Sequence, residues 1–261
     1  MNILDKIIAH KREELEVRKM MVKEEELKQT IFFNRVCLSL KQNLLKKNAT
    51  GIIAEFKRKS PSKGYINKYA DVAAVTRAYT QFGASGLSVL TDNEFFGGTT
   101  EDLVTARANE IPILRKDFII DPYQVLASKA MGADVILLIA ACLSAAEVKA
   151  LSGFAKETGL EVLLELHDET ELDHVCDTVD MIGINNRNLK TFEVDISKSL
   201  QLASLIPADS VKIAESGIDS MDTIHLFKDA GFKGFLMGEK FMNEPFPGYA
   251  FQKFVESLNP S

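Results

Sequence analysis

The chain has 261 residues, of which 46% are hydrophobic, enough to bury one large core. Its net charge of −6 at pH 7 and pI near 5.4 give nucleic acid no general attraction, and no polybasic tail offsets that balance. Cys37, Cys142 and Cys176 are dispersed and form no Cys-x-x-Cys pair, which argues against a disulfide framework or a zinc site and fits a reducing cytoplasm.

The opening Met1-Asn2-Ile3-Leu4-Asp5-Lys6 soon turns highly charged, so no export signal is expected. Residues 3 to 47 place apolar groups such as Ile3, Ile7 and Ile8 at helical spacing among dense Lys and Glu, with a second helical stretch expected near Ile31 to Leu45. Residues 1–48 therefore read as a helical extension packed on a larger body. From Gly51 onward, short apolar runs alternate with longer amphipathic ones, the rhythm of repeated strand-helix units. Strands are expected at Ile52–Phe56, Gly86–Leu90, Ile113–Lys116, Val135–Ile139, Glu161–Leu166, Met181–Asn185, Lys212–Ala214 and Gly234–Met237. The longest apolar run, Val135 to Leu143, is about half of the ~20 residues that a membrane-spanning helix needs, and reads as a buried strand entering a loop. Helices are expected to begin near Asp71, Thr100, Pro122, Ser144, Asp168, Ser197, Asp219 and Pro247. Asp121-Pro122 is the strongest start signal, a capping side chain followed by Pro in the first turn.

Eight strand-helix units over residues 49–261 match an α/β fold of the (βα)8, or TIM-barrel, type, and the extension joins it in one structural domain. An open doubly wound sheet usually has fewer strands, and no Gly-x-Gly-x-x-Gly turn follows the first one. Barrel chemistry sits at the C-terminal ends of the strands. Those ends collect Glu55 and Lys57, Asp92, Lys116, Glu165 and His167, Asn185 and Arg187, Glu215 and Ser216, and Gly238, whereas the strand starts are mostly Gly, apolar or small. Along the first strand, alternation sends Glu55 and Lys57 to one face and Ala54 and Phe56 to the other.

Lys116 and Glu165 emerge from apolar strands, so burial is expected to lower the ammonium pKa and raise the carboxyl pKa, bringing both toward neutrality for acid-base work. A structural ion pair across the mouth is the alternative. Ala214-Glu215-Ser216-Gly217-Ile218 and Leu236-Met237-Gly238-Glu239 end strands seven and eight, where barrels often hold a phosphate on glycine-rich turns. Lys57 offers a mobile cation, and Arg187 offers either a fork for a carboxylate or a salt bridge across the rim. Phe95, Phe96 and Phe118 suit the wall of an aromatic site or ordinary packing. His167, on the face of Glu165, is placed to orient it, to cap the next helix or to lie in solvent. The four histidines, His10, His167, His174 and His225, show no metal-ligand spacing, and no Gly-x-Ser-x-Gly elbow is present. A Schiff-base aldolase using Lys116, an isomerase of a phosphoribosyl amine, and a catalytically silent partner barrel remain open on these residues alone.

Four motifs add a resemblance that covers almost the whole chain. They are Ile53-Ala54-Glu55-Phe56-Lys57-Arg58-Lys59-Ser60-Pro61-Ser62-Lys63-Gly64, Leu114-Arg115-Lys116-Asp117-Phe118-Ile119-Ile120-Asp121-Pro122-Tyr123-Gln124, Gly183-Ile184-Asn185-Asn186-Arg187-Asn188-Leu189, and Ala214-Glu215-Ser216-Gly217-Ile218. Together they resemble the indole-3-glycerol phosphate synthases of tryptophan biosynthesis, with slight departures at Phe96-Gly97-Gly98-Thr99 and Gly238-Glu239-Lys240. The resemblance implies that residues 1–48 cover the barrel mouth. It also implies ring closure of 1-(2-carboxyphenylamino)-1-deoxyribulose 5-phosphate with loss of carbon dioxide and water, and no cofactor or metal. By the same resemblance Lys116 protonates the substrate carbonyl oxygen, Glu165 and Glu55 move protons in dehydration, and Asn185 holds the hydroxyl. Lys57 and Ser60 then meet the carboxylate or phosphate, Ser216 lies in the substrate pocket, and Gly217, Gly238 and Glu239 bind the phosphate through backbone N–H groups. No nucleic-acid or membrane partner is implied, while other enzymes of the tryptophan pathway are partners the resemblance allows.

Overall fold

The computed structural model describes residues 3–188 and 193–258; Leu189, the last residue of the third motif, lies outside them. Eight parallel strands, β1 (Ile52–Phe56), β2 (Gly86–Leu90), β3 (Ile113–Lys116), β4 (Val135–Ile139), β5 (Glu161–Leu166), β6 (Met181–Asn185), β7 (Val211–Glu215) and β8 (Gly234–Met237), close into a barrel, with β8 pairing back onto β1. Helices α4 (Val72–Gln81), α5 (Thr100–Ala106), α6 (Pro122–Met131), α7 (Ala145–Glu157), α8 (Ile196–Leu205), α9 (Met221–Asp229), α10 (Glu239–Met242) and α11 (Pro247–Leu258) return the chain between strands or follow the last one. Their starts follow the capping logic of the sequence: Asp71 accepts from the Ala74 N–H at 2.7 Å and Asp121 from the Tyr123 N–H at 2.8 Å. Each such cap contributes about 1 kcal/mol. The helix expected near Asp168 is instead a six-residue 3-10 turn, Glu169–His174, with no buried side chain to hold a longer α-helix against the barrel.

Strand alternation divides the apolar side chains into two layers. Ile53, Leu163 and Ile213 point into the barrel, whereas Ile52, Ala54, Leu164 and Ala214 belong to the layer between strands and helices. The period of two then places Glu55, Glu165 and Glu215 on the inner face, two residues beyond those inner apolar groups.

The extension comprises α1 (Ile3–Met21), α2 (Glu24–Leu27) and α3 (Leu40–Leu44). The expected helix near Ile31 to Leu45 is therefore corrected to its last turn and a half. Ile31 is 87% exposed and Val36 86% exposed, so the apolar pattern there serves no buried helix face. Only at Ser39, whose hydroxyl accepts the Gln42 N–H at 3.0 Å, does a helix begin. The extension follows α6 along its length: Lys19 pairs with Asp121 at 2.7 Å near its start, and the Thr30 hydroxyl donates to the Ala130 carbonyl at 3.2 Å near its end. Its two ends serve opposite faces of the barrel. Ile3, Leu4 and Ile7 of α1 line the cavity at the mouth. Leu40 and Leu44 of α3 instead join the inner core at the strand starts, where a side chain at Gly86 would strike Leu40 Cδ1 at 2.5 Å. Coverage of the mouth thus belongs to α1 and not to all of residues 1–48.

Candidate active site

A cavity of about 400 Å³ opens at the C-terminal ends of the strands. Lys116, the last residue of β3, stands at its centre with Nζ 2.9 Å from Glu165 Oε2 and 2.5 Å from Glu215 Oε2. Asn185, from β6, donates its amide to Glu165 Oε1 at 3.1 Å and accepts the Arg187 N–H at 3.0 Å. On the other side Lys57 Nζ meets Glu55 Oε1 at 2.7 Å, as the shared strand face anticipates. Two glycines make this density of charge sterically possible. A Cβ at Gly183 would collide with Glu215 Oε1, and one at Gly238 would lie 2.7 Å from Glu55 Cβ.

The charge states differ from those expected on desolvation alone. Burial opposes ionisation of both groups, but Glu165, Glu215 and Glu55 together raise the Lys116 ammonium pKa, and Lys116 with His167 holds Glu165 well below the usual carboxylate range. The expectation that burial would bring both toward neutrality is therefore corrected: opposite charges at 2.9 Å outweigh desolvation. Glu215 is the group driven the other way. Burial and the neighbouring Glu165 carboxylate raise its pKa, against the pull of Lys116. It was legible as a residue at the rim but had no assigned role, because its partnership with Lys116 spans 99 positions.

Around this core Phe96 and Phe118 form one wall, their ring centroids 6.1 Å apart. Phe95 is not part of that wall. It sits edge-on to His10 of α1 at 5.8 Å, so its expected place beside a substrate is corrected to packing under the N-terminal helix. Ser60 is buried in a short hairpin that pairs Lys59–Ser60 with Gly64–Tyr65, and it also borders the cavity. Ser216 and Gly217 adopt φ of 66° and 67°, a tight turn after β7 that glycine favours. Gly238 and Glu239 follow β8 at the same edge, where the Glu239 carboxylate pairs with Lys63 at 2.5 Å and lies 3.7 Å from Arg187. The rim salt bridge of Arg187 is thus present.

Sequence reasoning missed Lys11, which looked like one more solvated cation in a charged helix. It is 2% exposed, with Nζ 3.0 Å from both Asp92 and Asp117, and it fixes α1 over the mouth. Despite burial, Arg115 and Lys11 keep Asp117 strongly acidic. Asp92, counted at the rim, is consumed by this anchor. His167 neither caps the following turn, which Asp168 does by accepting the Thr170 N–H at 2.9 Å, nor lies in solvent: its side chain is 11% exposed.

Comparison with known proteins agrees with this geometry. Residues 4–253 match the family model for indole-3-glycerol phosphate synthase. The indole-3-glycerol phosphate synthase of Bacteroides thetaiotaomicron is 46% identical over 258 residues, covering 98% of this chain and 99% of that protein. That of Bordetella pertussis is 40% identical over 259 residues, covering 97% and 99%. Among solved structures, a 3-hexulose-6-phosphate synthase superposes with a TM-score of 0.62 at 11% identity, over 79% of this chain and 99% of that one, a likeness of fold alone. The chain belongs to the indole-3-glycerol phosphate synthase family.

Proposed function

We propose that the chain converts 1-(2-carboxyphenylamino)-1-deoxyribulose 5-phosphate to indole-3-glycerol phosphate, with Lys116 as the principal acid. The observation that carries this reading is the Lys116 ammonium, held between Glu165 and Glu215 inside a cavity with aromatic rings on one wall and glycine turns at another edge. The substrate presents matching groups: a carboxylated aromatic ring, a ketone and a phosphate. As the ring carbon attacks the ketone, the carbonyl oxygen gains negative charge and becomes basic enough to take a proton even from a stabilised ammonium. Lys116 first stabilises that charge and then supplies the proton, forming a hydroxyl. Breaking the bond to the ring carboxylate releases carbon dioxide and leaves its electron pair in the ring system. Loss of the hydroxyl as water and of a carbon-bound proton completes the indole, with Glu165 and Glu55 carrying protons and Asn185 holding the hydroxyl.

Gly217, Gly238 and Glu239 are assigned to the phosphate through backbone N–H groups, whose orientation at a turn or a helix start favours an anion. Lys57, Ser60, Arg187 and Ser216 complete the grip on the two ends of the substrate. Binding both ends matters because bringing ring carbon and ketone together offsets ~7–11 kcal/mol of barrier, more than proton transfer alone supplies. A cytoplasmic setting belongs to the same reading, supported by three free cysteines. The test is fluorescence detection of indole-3-glycerol phosphate from the purified protein and the carboxyphenylamino substrate. Product formation is expected, and a folded protein that gives no signal overturns the proposal.

A further inference from the structure

His167 follows β5 directly and stands behind Glu165, outside the cavity lining. Its Nε2 is 3.1 Å from Glu165 Oε1 and its Nδ1 3.6 Å from Glu171 Oε2, ion-pair contacts rather than hydrogen bonds. Glu171 is itself held in place, because its Oε2 accepts the backbone N–H of His167 at 2.6 Å. Five side chains therefore form one line into the site: Glu171, His167, Glu165, Lys116 and Glu215.

We propose that His167 is a positioning residue for Glu165, an imidazolium held between two carboxylates that fixes Oε1 of Glu165 and leaves Oε2 facing Lys116. The proposal rests on the reading of Glu165 as a proton carrier in ring closure. Its physical basis is the charge balance. Lys116 is shared between Glu165 and Glu215, so it cannot satisfy both as well as it could one. A second cation behind Glu165 supplies what Lys116 gives to Glu215, and keeps Glu165 ionised when a substrate bearing a carboxylate and a phosphate enters. The groups facing His167 agree with a positive charge there. Glu165 comes from β5, Glu171 from the 3-10 turn, and Asp168 adjoins it in sequence. The Cys142 thiol, which burial and the charges of Glu165 and Glu171 make less acidic, stays neutral. Although burial opposes ionisation of the ring, Glu165 and Glu171 push the His167 pKa up to about 10.

The test is the pH dependence of kcat/KM for His167→Ala and His167→Gln, measured beside Glu165→Gln. Loss of the imidazolium is expected to lower kcat about tenfold, less than the ~10²–10⁴-fold that an acid-base group itself supplies, while KM changes less than about threefold. The acid limb is expected to move to higher pH by about one unit or more, since a carboxylate that loses a cation at this distance protonates more readily. Adding His167→Gln to Glu165→Gln is expected to cost nothing further, because the two groups act through one another. If His167→Ala fails to fold, His167→Gln carries the measurement. Wild-type kcat, or a lowered kcat with an unmoved acid limb, overturns the proposal, the second outcome reducing His167 to structural support. Wild-type turnover in Glu165→Gln would instead overturn the role of Glu165 on which the proposal stands. Loss of turnover there, with normal His167 variants, removes the His167 proposal alone.

Discussion

The two ends of the barrel bury carboxylates in opposite ways. At the strand starts, Asp134 is fully buried and accepts from Arg35 and Arg107, both at 2.6 Å, from the Leu38 N–H at 2.7 Å and from the Ile113 N–H at 2.9 Å. Glu161 beside it accepts from the Ser39 hydroxyl and from the Leu40 and Lys41 N–H groups. At the mouth, Glu215 Oε2 meets Lys116, while Oε1 is buried without a hydrogen-bond partner among the described residues. A buried polar group saturated by protein stabilises the fold, whereas one left incompletely paired costs stability and leaves bonding capacity in a cavity. The base, with the Lys11 anchor, thus holds the extension to the barrel, and the cluster around Lys116 keeps unspent electrostatic capacity for a ligand.

The comparison breaks most sharply at Lys116. Lys116→Ala is expected to lower kcat by ~10³-fold or more while binding of a phosphate analogue survives, measured by product fluorescence and by calorimetric titration. Near-normal turnover would remove Lys116 from the acid role. At the other end, Asp134→Ala leaves two guanidinium groups without their buried counter-charge. We expect a loss of ~3–5 kcal/mol of stability in chemical unfolding, with kcat/KM of the folded protein unchanged. A variant of normal stability, or one that folds but loses activity, would erase the division of labour between the two ends.

That division was only partly legible in the sequence. Strands such as Val135–Ile139 announce themselves because a parallel strand buried on both faces is a continuous apolar run, and period-two alternation carries Glu55 to the inner face without further information. Capping residues such as Asp71 and Asp121 are equally local signals. What escaped was long-range pairing. Lys11 precedes the first strand, whereas Asp92 follows the second and Asp117 the third, and nothing in its helix distinguishes it from its solvated neighbours. Phe95 and Phe96 are adjacent and chemically identical, yet the Asp92 side chain accepts the Phe95 N–H at 2.8 Å in a turn that sends one ring toward His10 and the other toward Phe118. The pKa directions failed for the same reason. Desolvation can be read from an apolar strand, but the cation and carboxylates that overcome it come from strands far apart in sequence.

A further expected effect concerns stability at the mouth. The His167 pKa lies at about 10 in the folded chain against an ordinary value of 6.5, so the folded state binds this proton more tightly than the unfolded state. The associated stabilisation is fully present below the unfolded pKa and is lost as pH rises through the folded one. Other groups titrate over the same range, so the informative quantity is the unfolding free energy of the protein minus that of His167→Gln. This difference is expected to shrink between about pH 6.5 and 10, by on the order of a few kcal/mol, as the carboxylates of Glu165 and Glu171 lose the cation between them. A difference independent of pH would mean a neutral imidazole in the folded state. The mouth would then hold Glu165 by Lys116 and Asn185 alone, and the contrast with Asp134 at the base would be wider still.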